Sequence, residues 1–466
     1  MRLEEILERA LRLVKPSEDE EARLKIVADK AIQLAEDEGS KLKGMIRVSL
    51  EGSAAKNTWI RGRAEADIFI HFDPSIPRDE MEKMIIDLGF KVIERLGGEP
   101  RLMYADHPYV EGLINGVTVD LVACYEVEPP NWISATDRTP YHTKYVLEKL
   151  EPGQEDEVRL LKGFMLGCGV YGAEIKVKGF SGYLTELLVI NYGDFMNVIE
   201  SASRWKPPIV IDPEKHYRSI KEVVEMFHDQ PLIMIDPVDR GRNAAAAVSR
   251  TRLSEFIIAS KLFLRNPSIK LFMISERRPK IRVFRRLSKD RDFLHIILRL
   301  MREKPPDVIW GELKRSEEGV KRALRRLGFE VYQSSSWTDE SKLAIMLFEL
   351  NSLNLPRYML HQGPPAHLEN SIDFIEKWLG EAIGPWIYED RLYVLRRRDE
   401  VRAVRLLRDE LSRGRVSIAK GLSKEFSKAV IGGGIERLIK LGRKRGDILR
   451  FIEDFLDARP RFLWME

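Results

Sequence analysis

Two acidic residues stand at the start of an apolar run, where they could bind a metal ion. Glu65 and Asp67 are two positions apart in "AEADIFIHF", a segment that predicts a strand. Side chains two apart on a strand share a face, so both carboxylates would point the same way. A buried ionised carboxylate is costly unless it is paired or binds a cation. The spacing indicates a site for a hard cation such as Mg²⁺, although a turn residue followed by a local ion pair would also explain these acids.

The residues before the acid pair could bind phosphate. Gly52 and Ser53 directly follow the predicted strand "MIRVSL", and Lys56 comes three residues later. Glycine permits close backbone approach, Ser53 offers a hydroxyl and a backbone N–H, and Lys56 adds a positive charge. A third acid, Asp120, lies in "VTVDLVA", a predicted strand that follows the hairpin-turn signal Asn115–Gly116. A strand, Gly-Ser, an acid pair and an acid on a later strand together favour a metal and triphosphate site.

The elements that must position these residues form an α+β pattern. Residues 1–38 predict two helices separated at Pro16, and 77–97 predicts a helix between the strand with the acid pair and the hairpin. From about 143 to 256, apolar residues recur every three or four positions, which is typical of helices. Within this region, 232–249 predicts a strand, a loop and the start of an alanine-rich helix.

Composition limits the class of protein. The chain has 466 residues, of which 44% are hydrophobic, and a formal net charge of +4; its length predicts about three domains. The two cysteines, Cys124 and Cys168, exclude a disulfide framework or a cysteine-rich zinc site, and we expect both in the core. No apolar run approaches the ~20 residues of a membrane span, and the N-terminus lacks a signal-peptide pattern. We therefore expect a cytoplasmic protein.

Together these segments resemble the DNA polymerase β-like nucleotidyltransferase superfamily, and within it the archaeal-type (class I) CCA-adding enzymes, which are tRNA nucleotidyltransferases. The resemblance is clear over residues 1–275 and thin beyond them. The segments that carry it are "GSAAKNTWIRGRAEADIFI", "GVTVDLVACY", "DRTPYHTKY", "RLLKGFMLGCGVYGAEIKVKG" and "IDPVDRGRNAAAAVS". It implies template-independent addition of C, C and A to the tRNA 3′ end from CTP and ATP. The reaction would be a two-metal in-line transfer that releases pyrophosphate.

The resemblance also implies which residues form the site. Glu65, Asp67 and Asp120 match the catalytic carboxylates that bind the metal, and Mg²⁺ would be the cofactor. The residues that match nucleotide-binding positions are Gly52, Ser53, Lys56, His142, Lys162, Tyr171 and Arg242. Arg242 would read the base edge. Lys56 stands where the family commonly has arginine, so a two-point phosphate contact would become a single-point contact.

The same resemblance implies three parts of the chain. Residues 1–142 would be a polymerase β-like nucleotidyltransferase head, and 143–256 a helical neck that completes the nucleotide pocket. Residues 257–466 would form a mixed α/β body and tail that binds the tRNA acceptor stem and 3′ end. The family also suggests a homodimer.

Two C-terminal stretches are strongly basic. Eight basic residues face two acidic ones in 276–291, and eleven face five in 395–428, so each stretch has a positive excess of six. This excess favours contact with RNA phosphates. Solvated helix faces with local ion pairs would also explain it.

Two other functions stay open on the sequence alone. A related nucleotidyltransferase, such as a poly(A) polymerase or an oligoadenylate synthase-like enzyme, would share the motif at 51–67. The segment "DRTPYHTKY" and the surroundings of Arg242 favour CCA addition over it. The other alternative is a non-catalytic RNA-binding protein with a transferase-like head, and the presence of all three carboxylates argues against it.

Overall fold

The computed structural model describes residues 2–104, 107–274 and 279–464, and it confirms the predicted α+β class. The chain divides into two compact units. The first comprises Met1–Glu276 together with Arg459–Glu466, and the second comprises Arg277–Ala458. None of the helices among the described residues is long and apolar enough to cross a bilayer. The finer division into head, neck and C-terminal parts stays a prediction.

The first unit begins with two helices on either side of Pro16, as predicted. Its helices and strands are α1 Leu3–Val14, α2 Glu18–Gly39, β1 Met45–Glu51, α3 Gly52–Ala55, β2 Glu65–Phe72, α4 Arg78–Arg95, β3 Arg101–Tyr104, β4 Pro108–Ile114, β5 Val117–Tyr125, α5 Thr139–Lys149, α6 Gln154–Cys168, α7 Gly182–Tyr192, α8 Phe195–Ser203, β6 Ile209–Ile211, α9 Ile220–Met226, β7 Leu232–Asp236, β8 Asp239–Asn243 and α10 Arg250–Arg265.

A five-stranded sheet with the order β1-β2-β5-β4-β3, called the head sheet below, occupies the N-terminal part of this unit. Alternate residues of β2 and β5 pack beneath α2 and α4 in one apolar core. The remaining residues of both strands therefore face the opposite side of the sheet. The two strands pair in parallel with Asp67 opposite Asp120. The predicted hairpin between β4 and β5 turns at Asn115 and Gly116, both with positive φ, as a two-residue hairpin turn requires.

Helices α5 to α8 and α10 surround a second apolar core, and α1 packs on it as well. Both cysteines are buried, as expected. The chain returns to this core near its end, where Phe462 is only 3% exposed. A small sheet with the order β6-β7-β8 completes this part of the unit.

One predicted element of this region is wrong. The strand predicted from residue 232 is present as β7, but the expected alanine-rich helix is not: Ala244–Ala247 form turns. Helix α10 begins only at Arg250, where the Ser249 hydroxyl accepts the N–H of Arg252 at 3.2 Å and caps the helix.

The second unit contains two sheets, with the orders β10-β11-β9-β15 and β12-β14-β13. Its elements are α11 Ile281–Leu287, β9 Asp292–Arg299, α12 Pro306–Leu327, β10 Val331–Thr338, β11 Leu343–Leu350, β12 Tyr358–Pro365, α13 Asn370–Trp378, β13 Ile383–Tyr388, β14 Arg391–Arg397, α14 Ala403–Ser412, α15 Ser423–Ser427, β15 Val430–Gly433, α16 Glu436–Gly442 and α17 Gly446–Asp457. It therefore has the mixed character that the sequence predicts.

Part of each basic stretch is used in local ion pairs. Arg402 and Arg405 contact Glu400 at 3.0 and 3.4 Å, and Arg415 contacts Glu410. In the other stretch, Arg291 contacts Glu349 at 2.7 Å, and residues 276–278 lie outside the described residues. These pairs account for a share of the charge that the sequence predicts to contact RNA; such contact by the remaining cations stays a prediction.

The close packing of α12 gives a test of the second unit. A Cβ added at Gly319 would lie 1.6 Å from the carbonyl oxygen of Ser417. Gly319→Ala should therefore lower the free energy of unfolding by about 1–2 kcal/mol in urea, although alanine favours a helix. Gly446→Ala is the matched control, because nothing lies within 4 Å of that position, and it should change the free energy by less than about 0.5 kcal/mol. Equal stability of the two variants would contradict this account.

Candidate active site

Three carboxylates come together on the open face of the head sheet. Glu65 and Asp67 lie on β2 and Asp120 on β5, and their carboxylate oxygens are within 4.8 Å of one another. The side-chain alternation of the two strands sends these acids away from the core, and the parallel register brings them together. The same-face geometry predicted for Glu65 and Asp67 is therefore present.

Burial and mutual repulsion make this carboxylate cluster costly to ionise. Burial, and then the charge of Glu65, raise the pKa of Asp67 to about 7, whereas Lys56 pulls that pKa down. Burial, and then Glu65 and Asp67, raise the pKa of Asp120 to about 9. The buried Oδ1 atom of Asp120 has no hydrogen-bond partner among the described residues. A divalent cation would offset the repulsion and use the free acceptor, so these residues fit a bound metal.

Gly52 lets the end of β1 approach this cluster closely. Its φ is +67°, and a Cβ at this position would lie 1.8 Å from Oδ2 of Asp67. Only glycine satisfies both conditions without displacing the carboxylate. Ser53 follows in the short helix α3, where it is partly exposed, and its carbonyl oxygen accepts the N–H of Thr58 at 3.0 Å. The Gly-Ser pair is thus at the edge of the carboxylate cluster, as the sequence predicts.

A buried group of charges holds the segment that follows α3. Nζ of Lys56 donates to Glu186 Oε2 at 2.6 Å, and the Thr58 hydroxyl donates to Glu186 Oε1 at 2.5 Å. Nζ of Lys162 donates to the Thr58 carbonyl and hydroxyl at 3.0 and 3.1 Å, and to Glu186 at 3.4 Å. We call Lys56, Thr58, Lys162 and Glu186 the lysine–glutamate cluster. All four are at least 90% buried.

The lysine–glutamate cluster contains two lysines and one acid. Burial alone would raise the pKa of Glu186, but Lys56 and then Lys162 outweigh it and lower that pKa. Burial lowers the pKa of Lys162, and Glu186 opposes this shift. The Lys162 ammonium already donates to Thr58 and Glu186. It would therefore affect a bound ligand only indirectly, by fixing the positions of Thr58 and of Lys56, which shares Glu186 with it.

A third group surrounds Asp236, which is fully buried at the end of β7. His142 Nε2 and Arg242 Nη1 lie 2.9 and 2.6 Å from its Oδ2 atom, and the Tyr183 hydroxyl donates to Oδ1 at 3.1 Å. The His142 ring stacks on Tyr183 with centroids 4.0 Å apart. Burial would raise the pKa of Asp236, but the His142 hydrogen bond and the nearby cations lower it to about 2. Burial lowers the pKa of His142, and its hydrogen bond to Asp236 opposes that shift.

Lys56 and Tyr171 connect the three groups. The charge of Lys56 lowers the pKa of both Asp67 and His142, and its Nζ atom lies 5.8 Å from the centroid of the Tyr183 ring. Burial and then the charge of Glu186 raise the pKa of Tyr171, which also responds to Glu65 and Lys56. The residues that the sequence predicts for one pocket therefore do converge in one region of the first unit.

The sequence predictions missed three residues of this region, namely Tyr183, Glu186 and Asp236. Glu186 is the one acid in the apolar helix sequence "GYLTELLVINY", and Asp236 ends the apolar run "LIMID". A single acid in a segment that must be buried needs a partner of opposite charge or a set of donors. That rule would have marked both acids as parts of a site.

The raised pKa values of Asp67 and Asp120 give a test by metal removal. Without divalent cations, the folded chain keeps protons on Asp67 and Asp120 that the unfolded chain has released, so stability should fall as pH rises from about 4 towards 9. Added Mg²⁺ should raise the melting temperature more at pH 8 than at pH 6, because binding at pH 6 must first displace protons. Differential scanning fluorimetry measures both effects.

Asp120→Asn is the control for this test. The substitution removes the carboxylate of Asp120, whose pKa is raised further than that of Asp67. It should therefore flatten the dependence of stability on pH and reduce the effect of Mg²⁺ on the melting temperature. An effect of Mg²⁺ that is equal at the two pH values, or equal in the variant, would contradict a metal site at these residues.

Known protein families match successive parts of the chain. A nucleotidyltransferase domain matches residues 32–142, and the second domain of tRNA nucleotidyltransferase matches 156–273. The C-terminal domain of the CCA-adding enzyme matches 297–432. A weaker likeness is to the solved structure of the RNA terminal uridylyl transferase Cid1, with 14% identity and a TM-score of 0.47. That match covers 59% of this chain and all of the Cid1 chain, and no conclusion about function rests on it.

Full-length relatives give a stronger comparison. The CCA-adding enzyme of Pyrobaculum islandicum is 40% identical over 421 residues, which are 89% of this chain and 95% of the relative. The CCA-adding enzyme of Methanothermobacter thermautotrophicus is 37% identical over 454 residues, covering 96% and 97% of the two chains. The enzyme of Saccharolobus shibatae is 39% identical, covering 85% and 90%. The carboxylates of Glu65, Asp67 and Asp120, which we call the acid triad, are in place on the head sheet. By these relatives, the chain belongs to the CCA-adding enzymes, a family of tRNA nucleotidyltransferases.

Proposed function

We propose that this protein adds C, C and A to the 3′ end of tRNA, using CTP and ATP without a nucleic-acid template. The observation that carries the proposal is the acid triad of Glu65, Asp67 and Asp120 beside the buried lysine–glutamate cluster. A triphosphate needs cations at its oxygens, and the transfer needs charge stabilisation at the reacting phosphorus. With a cation bound to the acid triad and the ammonium of Lys56 nearby, the two groups would supply both in a chain that belongs to this family.

Mg²⁺ is the cation that we propose for the acid triad. When bound, it would lower the pKa of the RNA 3′-hydroxyl and stabilise the charge on the departing pyrophosphate. The chain's own contribution is to fix the carboxylates. The register of β2 and β5 sets the separation of Asp67 and Asp120, and Gly52 leaves room for the Asp67 carboxylate.

We assign triphosphate binding to Ser53 and Lys56. Lys56 acts electrostatically on Asp67, so a phosphate near its ammonium would also be near the acid triad. Lys162 would hold Thr58 and Glu186 in place and would not contact the triphosphate, because its ammonium already donates to these two residues. Tyr171 would contribute to triphosphate binding as well, because charges of both the acid triad and the lysine–glutamate cluster act on it.

The group around Asp236 would hold the base. One nitrogen of Arg242 is bound by Asp236, and its side chain is 37% exposed, so the remaining donors of the guanidinium can reach a ligand. Cytosine and adenine both present ring-nitrogen acceptors, which lets one guanidinium serve both. His142 would orient Asp236 and thereby Arg242.

Several partner assignments remain predictions of this proposal. The tRNA acceptor stem and 3′ end would be the RNA partner, and the second unit would provide contacts to the RNA backbone. Homodimer formation and a cytoplasmic location are expected of such an enzyme.

The central experiment extends a tRNA that lacks its last three nucleotides, with Mg²⁺ and with each nucleotide supplied separately. CTP alone should add two residues, and CTP with ATP should add three. A long ladder from ATP alone would instead identify a poly(A) polymerase, and no incorporation at all would favour a non-catalytic RNA-binding protein. Asp67→Ala is the control variant: it should reduce kcat by at least about 10²-fold while tRNA affinity stays near wild type, because the carboxylate serves the transfer and not RNA binding.

The lysine–glutamate cluster gives a second prediction. Glu186→Gln removes the acceptor charge that fixes Lys56, so KM should rise by about tenfold for CTP and for ATP alike, since phosphates carry no base identity. Steady-state kinetics with saturating tRNA measures the change. Glu214→Gln is the matched control, because Glu214 contacts Tyr145 and Lys149 instead; its KM values should stay near wild type.

A rise in KM for only one nucleotide would contradict this role of Glu186. Because the substitution leaves two buried lysines without their counter-charge, the variant will also lose stability. Lys56→Gln therefore serves as a second variant that tests the same contact from its other side, and it should raise both KM values in the same way.

A further inference from the structure

A further carboxylate, that of Glu51, lies beside the acid triad on the open face of the head sheet. Glu51 ends β1 and pairs directly with Asp67 across the two antiparallel strands. Residues that are directly opposite each other in such a pair point to the same side of the sheet. Asp67 in turn pairs with Asp120. These carboxylates on three neighbouring strands therefore form a row across the sheet.

Glu51 is buried, and one oxygen of its carboxylate has no partner. The residue is 4% exposed. Its Oε1 atom accepts the Ser49 hydroxyl at 2.6 Å, whereas Oε2 has no hydrogen-bond partner among the described residues. A buried acceptor that lacks a donor costs about 1–3 kcal/mol, and more when the group is charged. The free oxygen therefore indicates that a donor from outside the chain binds here.

A chain of polar contacts fixes Glu51 in this position. The Ser49 hydroxyl, which donates to Glu51, lies 2.8 Å from Nε2 of His71. Nδ1 of His71 lies 2.5 Å from Oε2 of Glu126, and Arg47 contacts the same carboxylate at 3.1 Å. His71, at the centre of this chain, is only 1% exposed. Because one oxygen of Glu51 is held in this way, its other oxygen keeps a fixed direction.

Glu51 is close enough to the acid triad to act on it, but it is not a further direct ligand of the same ion. Its charge raises the pKa of Asp67. In the described part of the chain, the oxygens that all lie within 4.8 Å of one another are those of the acid triad, without Glu51. An ion bound to the whole triad would therefore contact Glu51 through a water. Mg²⁺ keeps several waters when carboxylates bind it, and its charge makes these waters stronger donors.

The neighbouring lysines do not occupy this place. Lys56 and Lys162 both donate to Glu186. No ion pair joins Glu51 to a basic side chain within the ranges that the structure describes. A row of buried carboxylates needs a counter-charge, and a cation from solution is the one that remains.

We propose that Glu51 binds a water molecule of the cation at the acid triad and thereby raises the affinity of this site for the cation. The inference rests on the proposed function, which assigns Mg²⁺ to the acid triad. Groups that hold the ligands of a metal without touching the metal typically contribute about 10- to 100-fold to its affinity. The free Oε2 atom of Glu51 supplies the acceptor, and Ser49 and His71 act as positioning residues.

The test measures binding of Mn²⁺ to the full chain at pH 8, without nucleotide or tRNA. Mn²⁺ takes the same oxygen ligands as Mg²⁺, and electron paramagnetic resonance measures its free concentration. Glu51→Gln keeps the size of the side chain and an acceptor for Ser49 but loses the charge, so the dissociation constant for Mn²⁺ should rise about tenfold or more. Ser49→Ala removes the contact that fixes Glu51, and it should raise the constant by a smaller factor.

Glu111→Gln is the matched control. Glu111 pairs with Asp120 on the other side of the row, and its charge raises the pKa of Asp120. Its side chain is only partly buried, and no hydrogen bond or ion pair to another described residue fixes it. The control should change the dissociation constant for Mn²⁺ by less than about threefold. Equal losses with Glu51→Gln and Glu111→Gln would show that negative charge alone attracts the cation, which would overturn the proposal.

Thermal stability separates this role of Glu51 from a purely structural one. Glu51 repels Asp67, so without divalent cations Glu51→Gln should melt at or above the wild-type temperature at pH 8. Added Mg²⁺ should then raise the melting temperature of the variant less than that of the wild type. A variant that melts lower without cations and keeps the wild-type affinity for Mn²⁺ would show that Glu51 only supports the fold. If Glu51→Gln did not fold, an unchanged affinity in Ser49→Ala would overturn the proposal instead.

Nucleotide addition keeps this inference apart from the proposed function. If the wild-type protein added no nucleotide to tRNA, the proposed function would fail, and the affinities for Mn²⁺ would still decide the role of Glu51. If the wild-type protein added C, C and A while Glu51→Gln bound Mn²⁺ as tightly as the wild type, the proposed function would stand and this inference would fail.

Discussion

The buried ion pair between Lys56 and Glu186 is the contact on which the rest of the site depends. Its two residues are 130 positions apart, one beside the head sheet and one on α7, and both are almost completely buried. Removing one partner of such a pair typically costs about 3–5 kcal/mol, because the other charge is left without compensation. Lys56 is also the charge that acts on both Asp67 and His142. The pair therefore joins the segment after α3 to α7, and it fixes the lysine whose charge acts on the acid triad and on the group around Asp236.

Strand register is the second constraint. A slip of one residue between β2 and β5 would turn the buried face of β2 outwards and drive Asp67 into the apolar core. The core beneath α2 and α4 excludes that slip, since it is filled by alternate apolar residues of both strands. The geometry of the acid triad thus follows from hydrophobic packing on the far side of the sheet.

Local spacing predicted those parts of the site that local rules control. The shared face of Glu65 and Asp67 follows from strand alternation, and the β4–β5 turn follows from Asn115–Gly116. Glu186 and Asp236 escaped prediction because distant segments choose their partners in the folded state. The alanine-rich segment failed as a helix because the Asn243 side chain accepts the N–H groups of Met234 and Ala245, which closes the β7–β8 hairpin and outweighs the helix propensity of alanine.

The return of the chain end to the first unit has a consequence for the order of events during synthesis. Phe462 fills the core around α6, yet the ribosome makes it only after the whole second unit. While the chain is being made, the helical core of the first unit lacks one of its buried aromatic side chains. The second unit has all its residues before this core does and is free to fold earlier, which reverses the usual N-terminal-first order. The helical core of the first unit therefore reaches its final packing only after the last residues of the second unit have been made.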